Sequence, residues 1–278
     1  MHGIRFIHRL ISTVAVTSLL IACDAPDNVA TICGNDKTMC ADLNTDEWCQ
    51  AERNELITQR FTVKENTNDQ AQYRLLTALN DFQECIKIAA LIEPRTHPEL
   101  KTQRVAAMLS TYDELLALEN KTLTSNNPYI LNYHWVAHNN EQSKQRFIAL
   151  SKQQHFDDPA LYFAIANIYD NKNDKAIANL LKGISLISEH SSDMTTKLLY
   201  AIITAYMHKR DYALAYLWSQ VAMHSDVENI NLGLFNKHKI TPSERRRLDV
   251  LAVTVAEQIA EQEFTTDRYT QMRSVAGL

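Results

Sequence analysis

Glycine and proline are scarce, five and six in 278 positions. Sheets and phosphate loops need glycine where the backbone turns tightly or approaches a ligand, so the shortage points to a helical chain. An excess of basic charge is also missing, with 28 Lys and Arg against 33 Asp and Glu. Without a basic face there is nothing to displace counterions from phosphates, and nucleic acid is not an expected partner. The sequence holds no GxSxG elbow, no glycine-rich phosphate cradle, no HExxH and no CxxC pair. These gaps remove the motif-borne hydrolase, nucleotide, zinc-peptidase, zinc-knuckle and thioredoxin-like readings. No apolar run of about 18 residues occurs after the first two dozen positions, so no mature membrane-spanning helix is expected.

What is present is ordinary for a folded chain: 45% hydrophobic and 22% charged residues, enough to bury a sizeable core. The start differs from the rest. Arg5 and Arg9 precede a low-charge run over 10–22, thirteen residues long, too short to cross a bilayer and shaped like an export signal that is later removed. The run ends on Leu20-Ile21-Ala22-Cys23, which resembles the lipobox of bacterial lipoproteins. That resemblance implies that residues 1–22 are removed and that Cys23 is acylated on its sulfur and again on its amine. Two or more acyl chains hold a protein stably on a membrane. Within that family's sorting rule, Asp24 favours retention at the inner membrane on its periplasmic face, with the outer membrane as the other destination. Residues 23–32 then read as lipidated cysteine and tether.

Removing the signal leaves 26 basic residues against the same 33 acidic ones. The one dense basic cluster, Arg245-Arg246-Arg247, follows Glu244 in an expected helix and reads as a solvated face. Four cysteines remain: Cys33, Cys40, Cys49 and Cys85. An even count in an exported chain suggests two disulfides, with three pairings open. The preferred one closes a local loop between Cys33 and Cys40 and staples two helices through Cys49 and Cys85, with Cys49 on the helical face of Leu56 and Ile57.

Helical periodicity organises the body. A first helix is expected over 46–60, and a second over 69–92 from Leu75, Leu79, Phe82, Ile86 and Ala89. A third begins at Pro98 and ends near Asn120, with Val105, Met108, Leu109, Tyr112, Leu115 and Leu116 as one apolar stripe. The short link from Pro94 to Pro98 makes the last two an antiparallel hairpin. Residues 33–125 form this disulfide-stapled region. From Asn127 the units shorten. Asn127-Pro128 and Asp158-Pro159 each supply a cap followed by a first-turn proline, 31 residues apart. Such a period suggests a solenoid. Thr241-Pro242-Ser243-Glu244 announces a final helix through Leu248, Leu251, Val255 and Ile259 that seals the array. The tail over 265–278 is polar and expected to be flexible.

Ile202, Tyr206, Asp211-Tyr212, Ala215 and Ala222, within the segment 199–222, resemble a tetratricopeptide repeat. A preceding unit over 162–186 is similar through Ala166, Tyr169 and Ala176-Ile177, and 127–155 is a weaker copy. The small residues let two helices approach while the tyrosines fill the space between hairpins. The expected fold is therefore all-α: helical hairpins continuing into a short tetratricopeptide-like α-solenoid over 126–264, capped by a C-terminal helix. In that family the first helices of successive repeats line a concave groove. Carried over, Phe163, Asn167 and Asp170 of one unit and Tyr200, Thr204 and His208 of the next would face a partner.

For chemistry, His134 and His138 stand four apart on one expected helical face, a spacing that suits a metal. Trp135 occupies the position where a zinc peptidase needs its glutamate. Asp157 and Asp158 sit beside Pro159, where one carboxylate serves as a cap. The expectation is a membrane-anchored scaffold or assembly factor that binds an envelope protein or peptide, with no cofactor, no metal and no catalytic residue. A periplasmic hydrolase with a site near His134 and His138, and a purely structural envelope component, are the alternatives. An uncharacterised family of bacterial lipoproteins is the resemblance that the whole pattern suggests.

Overall fold

The computed structural model describes residues 28–169, 174–188, 192–237 and 240–278. Residues 1–22, Cys23, Asp24 and Asp170, on which the signal, lipidation, sorting and one groove assignment rest, lie outside these. Among the described residues there are twelve α-helices, two short 3-10 turns and no strand. In chain order these are α1 Val29–Asn35, α2 Gln50–Glu65, α3 Asp69–Ala89, α4 Glu99–Thr122, α5 Pro128–His138, α6 Glu141–Gln153, α7 Pro159–Ile168, α8 Asp174–Ile184, α9 Ser192–Lys209, α10 Tyr212–His224, α11 Pro242–Ala260 and α12 Thr266–Val275.

Helix starts follow the capping residues. Asn68 accepts from the Ala71 amide at 2.8 Å, Asn127 from Tyr129 at 2.9 Å and Asp158 from Ala160 at 2.8 Å. Each satisfies an amide that the first turn cannot pair internally. At α11 the capping box is complete, with Thr241 Oγ1 accepting from the Glu244 amide and the Glu244 carboxylate accepting from the Thr241 amide. Asp158 is thus a cap, as the adjoining proline implied.

Four local expectations are corrected. First, the tether ends early, because α1 already begins at Val29, capped by Asn28, and buries Ile32. Second, α2 starts four residues later than expected. Asn44 donates to the Trp48 carbonyl at 2.9 Å, and Cys49 takes a left-handed conformation at φ 56°, so 44–49 is a capping loop and Cys49 precedes the helix. Third, the expected stripe of α4 is divided between two faces. Ala107, Thr111, Leu115 and Leu118 face the core, while Leu109, Tyr112 and Leu116 are exposed. Polar groups take core positions there because they are paired: Gln83 donates to the Met108 carbonyl at 2.7 Å, and Arg104 holds Asp46 at 2.7 Å and the Ala89 carbonyl at 3.1 Å. Fourth, the polar tail is ordered as α12, which inserts Tyr269 into the core at 1% exposure.

The apolar residues gather into three successive cores. The first joins α1 to α4 with Ile130, around Leu56, Leu76, Leu79, Phe82 and Ile86. The second, around Leu131, Phe147, Leu161 and Ile165, joins α5, α6 and α7. The third runs from Ala166 to Tyr269 and centres on Leu199, Ile202, Tyr206, Trp218 and Leu248. Helices pack mainly on their sequence neighbours, and α5, α7 and α9 touch in turn as first helices of successive hairpins. The arrangement is an all-α, solenoid-like stack of helical hairpins. Ala166, Ala176, Ala215 and Ala222 are buried at the helix approaches.

Candidate functional site

The three residues expected on the second groove helix come together. Tyr200, Thr204 and His208 occupy successive turns of α9, and they line one wall of a cavity of about 440 Å³. Ile203 and Met207 extend that wall, while the connection from α10 to α11 folds back to supply Asn229, Ile230, Asn231, Leu234 and Phe235. The connection can make this turn because Asp226 and Asn229 take left-handed conformations at φ 57° and 60°, which short polar side chains tolerate best. Tyr200 Oη donates to the Glu228 carbonyl at 2.6 Å and pins the loop over the helix. Phe235 anchors the far end against Tyr216, ring centroids 5.5 Å apart.

Phe163 and Asn167 do not join this cavity. They lie on α7, Phe163 half-buried against the third core and Asn167 exposed. The groove over two hairpins therefore narrows to a recess on α9 whose second wall is the 228–235 connection. Sequence reading missed that wall, since a run such as Glu228-Asn229-Ile230-Asn231 signals only a loop.

The two histidines are engaged within the structure. His134 is 1% exposed, and its Nε2 shares a hydrogen bond with Thr122 Oγ1 at 3.0 Å. His138 Nε2 donates to Glu119 Oε1 at 2.7 Å, and Tyr133 Oη donates to the same oxygen at 2.8 Å. The rings stand 6.0 Å apart, each turned to a different partner on α4. Burial first, then His138, pushes the His134 imidazole below its ordinary value, against the opposing pull of Glu119. Burial and then Glu119 raise the Tyr133 phenol. Among the described residues no group of three or more His, Cys, Asp or Glu is arranged to hold a metal. The shared-face spacing was legible; the α4 partners that claim both rings were not.

The disulfides join Cys33 to Cys40 and Cys49 to Cys85, each with Cα atoms 5.8 Å apart. That is the preferred pairing of the three, within ordinary disulfide geometry. The second bridge ties the loop before α2 to α3.

Another recess went unread in the sequence. Between α11 and α12 lies an open trough of about 840 Å³, with Val250, Leu251, Met272, Val275 and Ala276 as its apolar lining. Arg246 and Arg247 border one end. The arginine triplet is divided: Arg245 donates to the Phe235 carbonyl at 3.1 Å and lies over the Tyr216 ring at 5.2 Å, so it is not part of a solvated face. Arg246 and Arg247 have no hydrogen-bond or ion-pair partner among the described residues.

The family model described as Protein of unknown function (DUF2989) matches residues 20–220, well over half of the chain. The chain belongs to that family. The DUF2989 match begins at Leu20, runs through the disulfide region and the cavity helix α9, and ends inside α10. Helices α11 and α12 lie beyond the matched residues. No curated protein and no solved structure matches the chain. Among the described residues, no helix is long and apolar enough to cross a membrane.

Proposed function

We propose that the chain is a membrane-anchored periplasmic lipoprotein whose helical hairpins, built in the manner of tetratricopeptide repeats, form a scaffold that docks a segment of an envelope protein or peptide. The observation that carries the docking reading is the α9 cavity. It sets Ile203, Met207 and Leu234 as an apolar floor beside the polar ends of Thr204, His208 and Asn231. An apolar centre with a polar rim suits an extended segment, because the floor supplies burial while the rim fixes register. Support for the anchor comes from the sequence start: Arg5 and Arg9 before the apolar run over 10–22, an aliphatic and a small residue before Cys23, and Asp24 favouring the inner membrane.

A crosslinked pull-down from membranes tests both parts. Cys23→Ala releases the chain from the membrane fraction and abolishes incorporation of a palmitate analogue. Thr204→Arg, which fills the exposed cavity wall, removes a partner that the wild-type chain recovers. Recovered partners that stay the same in Thr204→Arg and in a Tyr200→Ala, His208→Ala variant would overturn the docking reading. Lipid labelling that persists in Cys23→Ala would overturn the anchor.

A further inference from the structure

We infer that the trough between α11 and α12 is a second docking surface, and that its occupant is an acidic amphipathic helix of a partner protein. The inference does not rest on the α9 cavity, which is built from different residues. Three observations carry it.

The trough is apolar and uncovered among the described residues. Val250 on α11 is 70% exposed and Val275 on α12 is 90% exposed, and both line the recess. In a stack of hairpins such an apolar face is ordinarily covered by a packed neighbour. Here α12 closes the inner side with Tyr269 and leaves the outer side open.

The shape fits a helix. Along α11 the lining residues Ser243, Arg246, Arg247, Val250, Leu251, Thr254 and Gln258 recur every three or four positions. That row spans about 22 Å at about 1.5 Å per residue, four turns of a helical partner. A helix about 10 Å wide covers both rows of the trough at once, whereas a single acyl chain would leave Val250 or Val275 in water.

The charge selects an acidic partner. Arg246 and Arg247 are exposed at the rim and unpaired among the described residues. The third arginine of the lining, Arg268 on α12, is met by Glu263 at 2.9 Å, so Arg246 and Arg247 are the guanidiniums left open to a partner. A carboxylate-bearing turn set over them forms charge-assisted hydrogen bonds and fixes the direction of the incoming helix.

The test is a selection. A displayed library of helical peptides, apolar at i, i+3, i+4 and i+7 and randomised elsewhere, is panned against the purified full chain and then against its Arg246→Glu, Arg247→Glu variant. The wild-type chain enriches Asp and Glu at one end of the helix, and the variant enriches Lys and Arg at the same end. Enriched acidic peptides bind at least about tenfold more weakly to the variant and to Val275→Asp. These positions are exposed, and unchanged helicity by circular dichroism keeps the comparison fair. Thr204→Arg leaves this binding intact, which separates it from the α9 cavity. Selected peptides without acidic enrichment, equal binding by wild type and variants, or binding only to phosphatidylglycerol vesicles and to no peptide would each overturn the inference.

Discussion

Tyr269 is the buried residue of α12, and two substitutions there measure how firmly the helix is held. Its ring is buried between Trp218 and Phe264, with centroids 5.3 and 5.9 Å away, and Trp218 Nε1 donates to its hydroxyl at 2.9 Å. Tyr269→Phe removes the hydroxyl alone. The indole N–H is then buried without its acceptor, which costs about 1–3 kcal/mol. Tyr269→Ala also removes the ring and leaves a cavity against Trp218, a loss of about 3–5 kcal/mol. Hydrogen exchange followed by peptide is the suitable assay, because a stack of hairpins opens in parts and a single unfolding midpoint would average them. Each loss of about 1.4 kcal/mol raises the open population about tenfold. In Tyr269→Phe the amides of α12 and the facing turns of α10 exchange faster by about that factor or more. In Tyr269→Ala, α12 loses its protection, and Trp218 fluorescence shifts to the red. The reasoning is refuted if wild-type α12 exchanges as unprotected chain, or if Tyr269→Ala leaves α10 unchanged.

Replacing Cys49 and Cys85 by alanine should cost about 3.8 kcal/mol from loop entropy over a separation of 36, against about 2.4 kcal/mol for Cys33 and Cys40 over 7; equal losses of protection in α2 and α3 would contradict this. Arg104→Ala strands the Asp46 carboxylate beneath α4 and should destabilise the first core by about 3–5 kcal/mol, with less lost in a double variant that also makes Asp46 apolar. Burial acts to raise the Asp46 carboxyl, but hydrogen bonds from Asn44 and Arg104 outweigh it and hold the group below 3.8. Its contribution is therefore full above the unfolded value and is lost as pH falls through the lowered one, which acid titration of Asp46→Asn would reveal as a missing transition. For His134 the sign is similar and the window higher. Burial keeps its folded value below 6.5, so the unfolded chain takes up the proton first. The contact between α4 and α5 then weakens as pH drops from about 6.5, and the slope is reduced in His134→Gln, read by exchange of 128–138.

Much of the frame was legible because it depends on local rules. The starts of α5, α7 and α11 follow from Asn127, Asp158 and Thr241, whose side chains accept from first-turn amides within three residues, and α3 follows from the periodicity of Leu75, Leu79, Phe82, Ile86 and Ala89. Where reading failed, a distant partner had changed the meaning of a residue. Arg104 and Thr111 look like surface positions until Asp46 and Gln83 are brought to them. Leu109 and Leu116 look like core until Thr111 and Leu118 take that face. The α9 cavity was half visible: Tyr200, Thr204 and His208 share a helical face by spacing, but their opposing wall comes from a loop about 25 residues further on.

By itself, the sequence determined that the chain is helical, where α3, α4, α5, α7 and α11 begin, and which residues could serve as the cysteine pairs, because glycine scarcity, capping and thiol spacing act over a few residues. Tertiary structure alone decided which polar residues lie inside, that His134 and His138 turn to separate partners on α4, and that the tail is a helix. The reason is the same in each case. A side chain such as Tyr269 is polar in isolation and becomes core only when Trp218, 51 positions away, offers its N–H and a ring to pack against.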